Sequence, residues 1–199
     1  MSKAKVLSST DTRKVLCYIS AHKHAARNHA LFKMTTDCGM RVGEVAALRI
    51  CDVLTSEGKI RDEIRLKAEQ TKGNKGRTVL LSKKIQEELH NYLSVRFKLK
   101  DLLAVTMTDT NRALFATQKN CFRGFSANTL AQHFHHIYKG AGVDGASSHS
   151  GRRGFITNLA NKGVSVRVLM ELAGHKSLAV TQRYIEVNHS MMRNAVEML

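Results

Sequence analysis

Proline and tryptophan are absent from this 199-residue chain. Without proline, helices must end at glycine, asparagine, serine or aspartate. Cysteine is scarce: Cys17, Cys38, Cys51 and Cys121 are scattered and form no C-x-x-C pair. That spacing argues against a disulfide framework and reads as buried thiols in a reducing compartment. No run approaches 18 consecutive apolar residues, so no membrane span is expected. The opening residues, Met1 to Val6, hold no apolar core of signal-peptide length. Neither a G-x-x-x-x-G-K-S/T loop nor an H-E-x-x-H pair occurs. His133, His135 and His136 cluster, but without the cysteine or carboxylate spacing of a zinc site. Nothing in the sequence calls for a metal or another cofactor.

Acidic residues are also in short supply. Sixteen Asp and Glu stand against 32 Lys and Arg, giving a net charge of +16 and a pI near 10.1. Such an excess favours a polyanionic partner through counterion release and electrostatic steering. A ribosomal or merely solubilised basic protein would show the same excess. The apolar share, 43%, and the charged share, 24%, are ordinary for a globular domain.

Apolar spacing outlines a mainly α chain with a small antiparallel β-sheet, an α+β class. Ser8 and Asp11 offer a capping box for a helix with Val15, Leu16, Tyr18 and Ile19 on its apolar positions. Further helices are expected over 24–38 and from Gly43. Residues 51–81 read as strands, with Lys72 at or near a hairpin tip inside Thr71-Lys72-Gly73-Asn74-Lys75-Gly76. The helical period resumes at Ser82, through Ile85, Leu89, Leu93 and Val95. Ser126 or Asn128 caps another helix through Leu130, Phe134 and Ile137. Three more are expected over 148–161, 164–173 and 177–186. The expected organisation is a basic, frayed stretch 1–7, one domain over 8–187 and a short helix over 188–199. Met192, Ala195, Val196 and Leu199 would share one face of that last helix.

Several residues suit phosphate chemistry. His149 and Arg152 are three apart and would share a helix face, near an N-terminus that favours anions. Gly174 allows a tight turn that exposes His175. Tyr184 follows nine residues later. Arg41 precedes a helix and lies three residues before Glu44. Taken singly, each has an ordinary explanation: a chance H-x-x-R, a C-capping histidine, a core tyrosine, a surface arginine.

Their joint order resembles the catalytic domain of the tyrosine recombinases, the phage-integrase family, from about residue 8 to 199. The resemblance rests on TDCGMRVGEVAALRICD (36–52), TKGNKGRTVLL (71–81), HSGRRGFITNL (149–159) and LAGHKSLAVTQRYIEV (172–187). It implies catalytic roles for Arg41, Lys72, His149, Arg152, His175 and Tyr184. Arg41 and Arg152 would neutralise the scissile phosphate, which His175 would hydrogen-bond. Tyr184 would attack, with His149 assisting its proton transfer, and Lys72 would protonate the leaving oxygen, with Lys75 as the alternative. Glu44 would orient Arg41, and Lys75, Arg77 and Arg153 would contact DNA. The implied partner is double-stranded DNA, gripped by a homotetramer that is a monomer in free solution, with an accessory DNA-binding protein as a further expectation. The implied place is the cytoplasm, at the nucleoid. The implied activity is site-specific recombination of a mobile element, without metal or ATP. A DNA-binding accessory protein with the same fold and no strand exchange is the alternative.

Two departures from the family pattern stand out. Gly151 occupies a place where an apolar residue such as Leu is more usual, which by helix propensity weakens that helix by up to about 1 kcal/mol. Typical members also carry a core-binding domain of roughly a hundred residues ahead of this region. Only about seven residues precede it here, so a catalytic domain without that clamp is expected.

Overall fold

The computed structural model describes residues 4–71, 73–97, 111–117, 123–185, 187 and 189–198, apart from the side chains of Ser190 and Asn194. Lys72, Cys121 and Leu199 lie outside the described residues. The expected mixture is present, mostly helix with one two-stranded antiparallel sheet among the described residues.

Ser9–Ser20 forms α1, begun by the expected capping box: the Asp11 amide donates to Ser8 Oγ at 3.0 Å and the Ser8 amide to Asp11 Oδ2 at 3.1 Å. Its Val15 and Ile19 are buried, one turn apart. Ala25–Thr36 is α2 and lies at the centre of the core, with Leu31, Phe32 and Met34 fully enclosed. Val42–Ala47 is α3 and Ile50–Val53 is a single turn, α4.

The strand region is smaller than the sequence suggests. Glu63–Leu66 (β1) and Arg77–Leu80 (β2) pair, in the register Ile64 to Val79 and Leu66 to Arg77, and Leu54 and Ile60 add a single antiparallel bridge. Ile64, Leu66 and Val79 face inward while Leu80 is exposed, the alternation of a half-buried sheet. Residues 50–53 turn helical because the Arg49 amide donates to Asp52, a local cap that competes with extended backbone. At the hairpin tip Gly73 and Asn74 both have positive φ, as the turn residues imply.

Lys83–Arg96 (α5) packs against α2 through Ile85, Leu89 and Leu93; Val95 lies outside, on the solvent face. Ala127–Gly140 (α6) is capped by Ser126 rather than Asn128 and contributes Leu130, Phe134, Ile137 and Tyr138 to the core. Ser150–Asn161 (α7), Val166–Ala173 (α8), Leu178–Gln182 (α9) and His189–Val196 (α10) follow among the described residues. Met191 is half-buried and, with Ala195 and Met198, lines a groove with Val164 and Ile185, while Met192, Val196 and Met198 are exposed.

Two sequence readings need correction. Of the described cysteines only Cys38 is buried, its thiol pushed up to about 12 chiefly by burial; Cys17 and Cys51 are exposed on helix faces turned to solvent. Gly151 is not merely a weak helix former. A Cβ there would meet Thr35 Oγ1 at 2.4 Å and Thr35 Cβ at 2.9 Å. Helix α7 crosses α2 at this point, and the missing side chain sets their separation. Gly151→Leu is therefore expected to destabilise the protein by about 1–3 kcal/mol through overpacking, despite leucine's better helix propensity. Urea denaturation would show it as a lower midpoint at unchanged slope.

Candidate active site

The site is built on the C-terminal end of α8. Gly174 adopts the left-handed conformation, φ 60° and ψ 47°, and closes a Schellman turn. The His175 amide donates to the Met170 carbonyl at 3.0 Å and the Gly174 amide to Glu171 at 2.9 Å. The next three carbonyls, Leu172, Ala173 and Gly174, have no helical donor left. Each accepts from a different arginine. Arg77 Nη1 donates to Leu172 at 2.9 Å, Arg152 Nη2 to Ala173 at 2.5 Å and Arg41 Nη2 to Gly174 at 3.3 Å. Cations here also face the negative end of the helix.

Glu44, 1% exposed, is the shared counter-charge. Its Oε1 accepts from Arg41 Nη1 at 2.7 Å and Arg77 Nε at 3.2 Å. Its Oε2 accepts from the Arg41 amide at 2.8 Å and Arg77 Nη2 at 2.7 Å. Burial raises its pKa, but the bonds and charges of Arg77 and Arg41 more than offset this and hold it below the usual carboxylate range. Arg41 is thereby oriented by the acid three residues on, at the N-cap of α3.

Arg152 is buried on α7. Its Nη1 donates to the Gly39 carbonyl at 2.6 Å while Nη2 holds Ala173. A guanidinium has five N–H groups, so each η nitrogen keeps a second donor. Burial, then the charge of Arg41, pushes its pKa down to about 9, still well above neutral pH.

His175 sits in the turn after Gly174, half-buried. Its Nδ1 lies 2.9 Å from the Thr181 hydroxyl, a fully buried group, and its ring stacks on Tyr184 at 5.4 Å between centroids and 23° between planes. Burial, then Arg152, Arg41 and Arg77, pushes His175 down to about 4, so it is neutral at pH 7. Tyr184 lies just past α9, which stops at Gln182 rather than running to 186. The Tyr184 amide turns back to Thr181, and its carbonyl accepts from the Thr157 hydroxyl at 2.9 Å, tying it to α7.

The remaining sequence candidates fall into three groups. His149 stands exposed at the N-cap of α7, whereas Arg152 three residues on is buried, so the two differ in environment more than a shared face implies. Lys75 is exposed in the hairpin turn and Arg153 is half-buried on α7. Lys72 lies outside the described residues; its neighbour Gly73 lies against Lys176, whose Nζ would be 3.1 Å from a Cβ at Gly73, so the hairpin tip approaches the His175 turn. Arg77 departs most from expectation: its side chain is 9% exposed and turned inward to Glu44 and Leu172. Sequence reasoning missed Thr181 and Thr157 entirely. Their partners are six and 27 residues away, and a threonine in a helix carries no signal of its hydrogen bond. Among the described residues no group of three His, Cys, Asp or Glu could hold a metal ion, and His133 bonds Asn28 at 2.9 Å instead.

The phage integrase family profile matches residues 5–191. Tyrosine recombinase XerA of Pyrococcus furiosus is 27% identical over 194 residues, covering 97% of this chain and 61% of that protein. Tyrosine recombinase XerC of Lactobacillus leichmannii is 31% identical over 163 residues, covering 81% of this chain and 51% of its own length. The chain thus spans between half and two-thirds of these relatives. A crystal structure of XerA recombinase superposes with a TM-score of 0.75 at 24% identity, covering all of this chain and 66% of that one. The Tn1549 transposon integrase in complex with transposon right end DNA gives 0.71 at 17% identity, over all of this chain and 67% of that one, a likeness of fold. By the extent of the family match, this chain belongs to the phage integrase family, the tyrosine recombinases.

Proposed function

We propose that this chain is a site-specific DNA recombinase that cleaves and rejoins DNA through a 3′-phosphotyrosyl intermediate, integrating, excising or inverting a mobile element. The observation that carries the reading is the gathering of Arg41, Arg152, His175 and Tyr184 round the end of α8. Three arginines against one buried carboxylate leave this pocket positive, as a phosphodiester requires.

In the proposed reaction the Tyr184 hydroxyl oxygen attacks phosphorus while the bond from phosphorus to the 5′-oxygen breaks. The phenolic proton leaves with assistance from His149, and the departing oxygen takes a proton from Lys72. Arg41 and Arg152 neutralise the two non-bridging oxygens as charge grows there; their planar forks suit two oxygens at once. Neutral His175 adds a hydrogen bond from Nε2 when Thr181 donates to Nδ1, which keeps the ring proton facing the pocket. Rejoining reverses these steps with a 5′-hydroxyl as nucleophile. The phosphotyrosyl bond conserves the energy of the phosphodiester, so neither ATP nor metal enters.

The proposed partner is double-stranded DNA, in keeping with the +16 charge. Strand exchange uses four active sites, so four copies assemble on DNA from monomers in solution, with an accessory protein adding grip. Helix α10 serves either its own domain or a neighbour; its exposed Met192 and Val196 suit the second role. The place of action is the cytoplasmic nucleoid.

Two outcomes are expected. On nicked duplexes tiled from DNA flanking the gene, in EDTA, wild type forms a covalent adduct visible on denaturing gels, and Tyr184→Phe forms none while binding DNA as before. Binding without adduct in wild type would instead favour the accessory DNA-binding role. Separately, the lowered pKa of His175 means the unfolded chain takes up a proton between pH 6.5 and about 4 where the folded chain does not. Its contribution to stability is complete above pH 6.5 and declines as pH falls toward 4. Thermal unfolding should therefore show the wild-type Tm falling relative to that of His175→Gln across this window.

A further inference from the structure

We infer that Arg77 is a positioning residue, not a DNA contact: it locks β2, Glu44 and the end of α8 together and so sets the orientation of Arg41. The inference deepens the recombinase reading and rests on it for the reaction that Arg41 serves.

Arg77 is the first residue of β2, paired with Leu66 across the sheet. Its three nitrogens all donate, to two partners: Nε and Nη2 to the two oxygens of Glu44, and Nη1 to the Leu172 carbonyl. With 9% of the side chain exposed, it presents little surface to a phosphate. Every Glu44 oxygen that holds Arg41 also holds Arg77, so rotation of the carboxylate would release both. The fit is close: a Cβ at Gly174 would lie 2.4 Å from Arg77 Cδ, so the turn that carries His175 lies directly against this side chain. Lysine cannot replace it, because an ammonium is a point donor without the planar fork that spans a carboxylate and a third acceptor. The arrangement also anchors the base of the hairpin whose tip reaches Lys176. Through Arg77 the hairpin, the Arg41 turn and the α8 end are held as one unit.

The test compares wild type with Arg77→Lys, Arg77→Gln and Glu44→Gln, after thermal unfolding has shown which of them fold; Arg77→Lys, which keeps the charge, serves if Arg77→Gln does not. Binding to a random duplex of about 30 base pairs is measured against salt. A positioning role leaves the slope of Arg77→Gln as in wild type, whereas loss of a phosphate contact lowers it by about 1; Arg77→Lys, with its charge kept, serves for the rate and the resonance. At saturating nicked duplex, adduct formation by Arg77→Lys should slow by about a hundredfold, the scale of a misplacement near 1 Å. The Arg77→Lys, Glu44→Gln pair should be no slower than the worse single variant, because both act through one contact. The Arg41 Nε–H resonance, assigned by its loss in Arg41→Lys, should shift in Arg77→Lys. A wild-type rate with an unmoved Arg41 resonance would overturn the inference, as would a fall in salt slope with an unchanged rate at saturation. If wild type forms no adduct, the recombinase reading fails by itself, and the Arg41 resonance decides the positioning role: a shift upholds it and no shift ends it.

Discussion

The end of α8 is the constraint on which the site depends. A helix leaves its last carbonyls without donors, and burying them unpaired is costly. Here the Schellman turn at Gly174 satisfies two, and Arg77, Arg152 and Arg41 take the next three in succession. The arginines come from positions 95, 21 and 133 residues away in the chain. One helix end therefore draws together the hairpin, α7 and the turn before α3. Because a single carboxylate, Glu44, offsets three cations, the pocket keeps a positive surplus that an incoming phosphate would neutralise.

That surplus governs the titrating groups around it. It holds Glu44 ionised despite burial and adds to the burial that lowers Arg152 and keeps His175 neutral beside the stacked Tyr184. In the proposed reaction, neutral histidine next to fixed arginines divides the work: the guanidiniums carry charge, and the imidazole carries an oriented hydrogen bond. Thr181 orients the ring and Thr157 holds the Tyr184 backbone, so both aromatic groups are tied to helices rather than to loose loop. Such preorganisation is what electrostatic stabilisation of a charged transition state needs.

Two glycines let the scaffold close this tightly. Gly39, with φ 62°, supplies the carbonyl that Arg152 grips, and a Cβ there would lie 2.4 Å from the Phe155 ring. Gly151 brings α7 against Thr35 of α2, which sets how deeply Arg152 sits. A feature that weakens a helix in isolation thus serves the packing of that helix against its neighbour.

Much of this was legible in the sequence. The Ser8–Asp11 capping box, the apolar spacing of α2, α5 and α6, the positive-φ hairpin tip and the glycine stop of α8 are local signals, and the structure carries each of them. The order of Arg41, Arg152, His175 and Tyr184, with Glu44 three residues after the first arginine, pointed to one site through resemblance to a family. Other features were not legible because they belong to no single segment. Arg77 looked like a DNA contact since a basic hairpin carries the same composition whether its arginine faces solvent or a buried carboxylate. Thr181, Thr157 and the demand of Gly151 for space depend on partners from other helices. Two of the described cysteines face outward because helix rotation, decided by the rest of the core, placed them there. The sequence by itself determined where helices start and stop and which residue types the chain offers for phosphate chemistry. Only the tertiary structure decided which arginines spend their donors on carbonyls and on Glu44, because that choice is made by the meeting of one helix end with three distant segments.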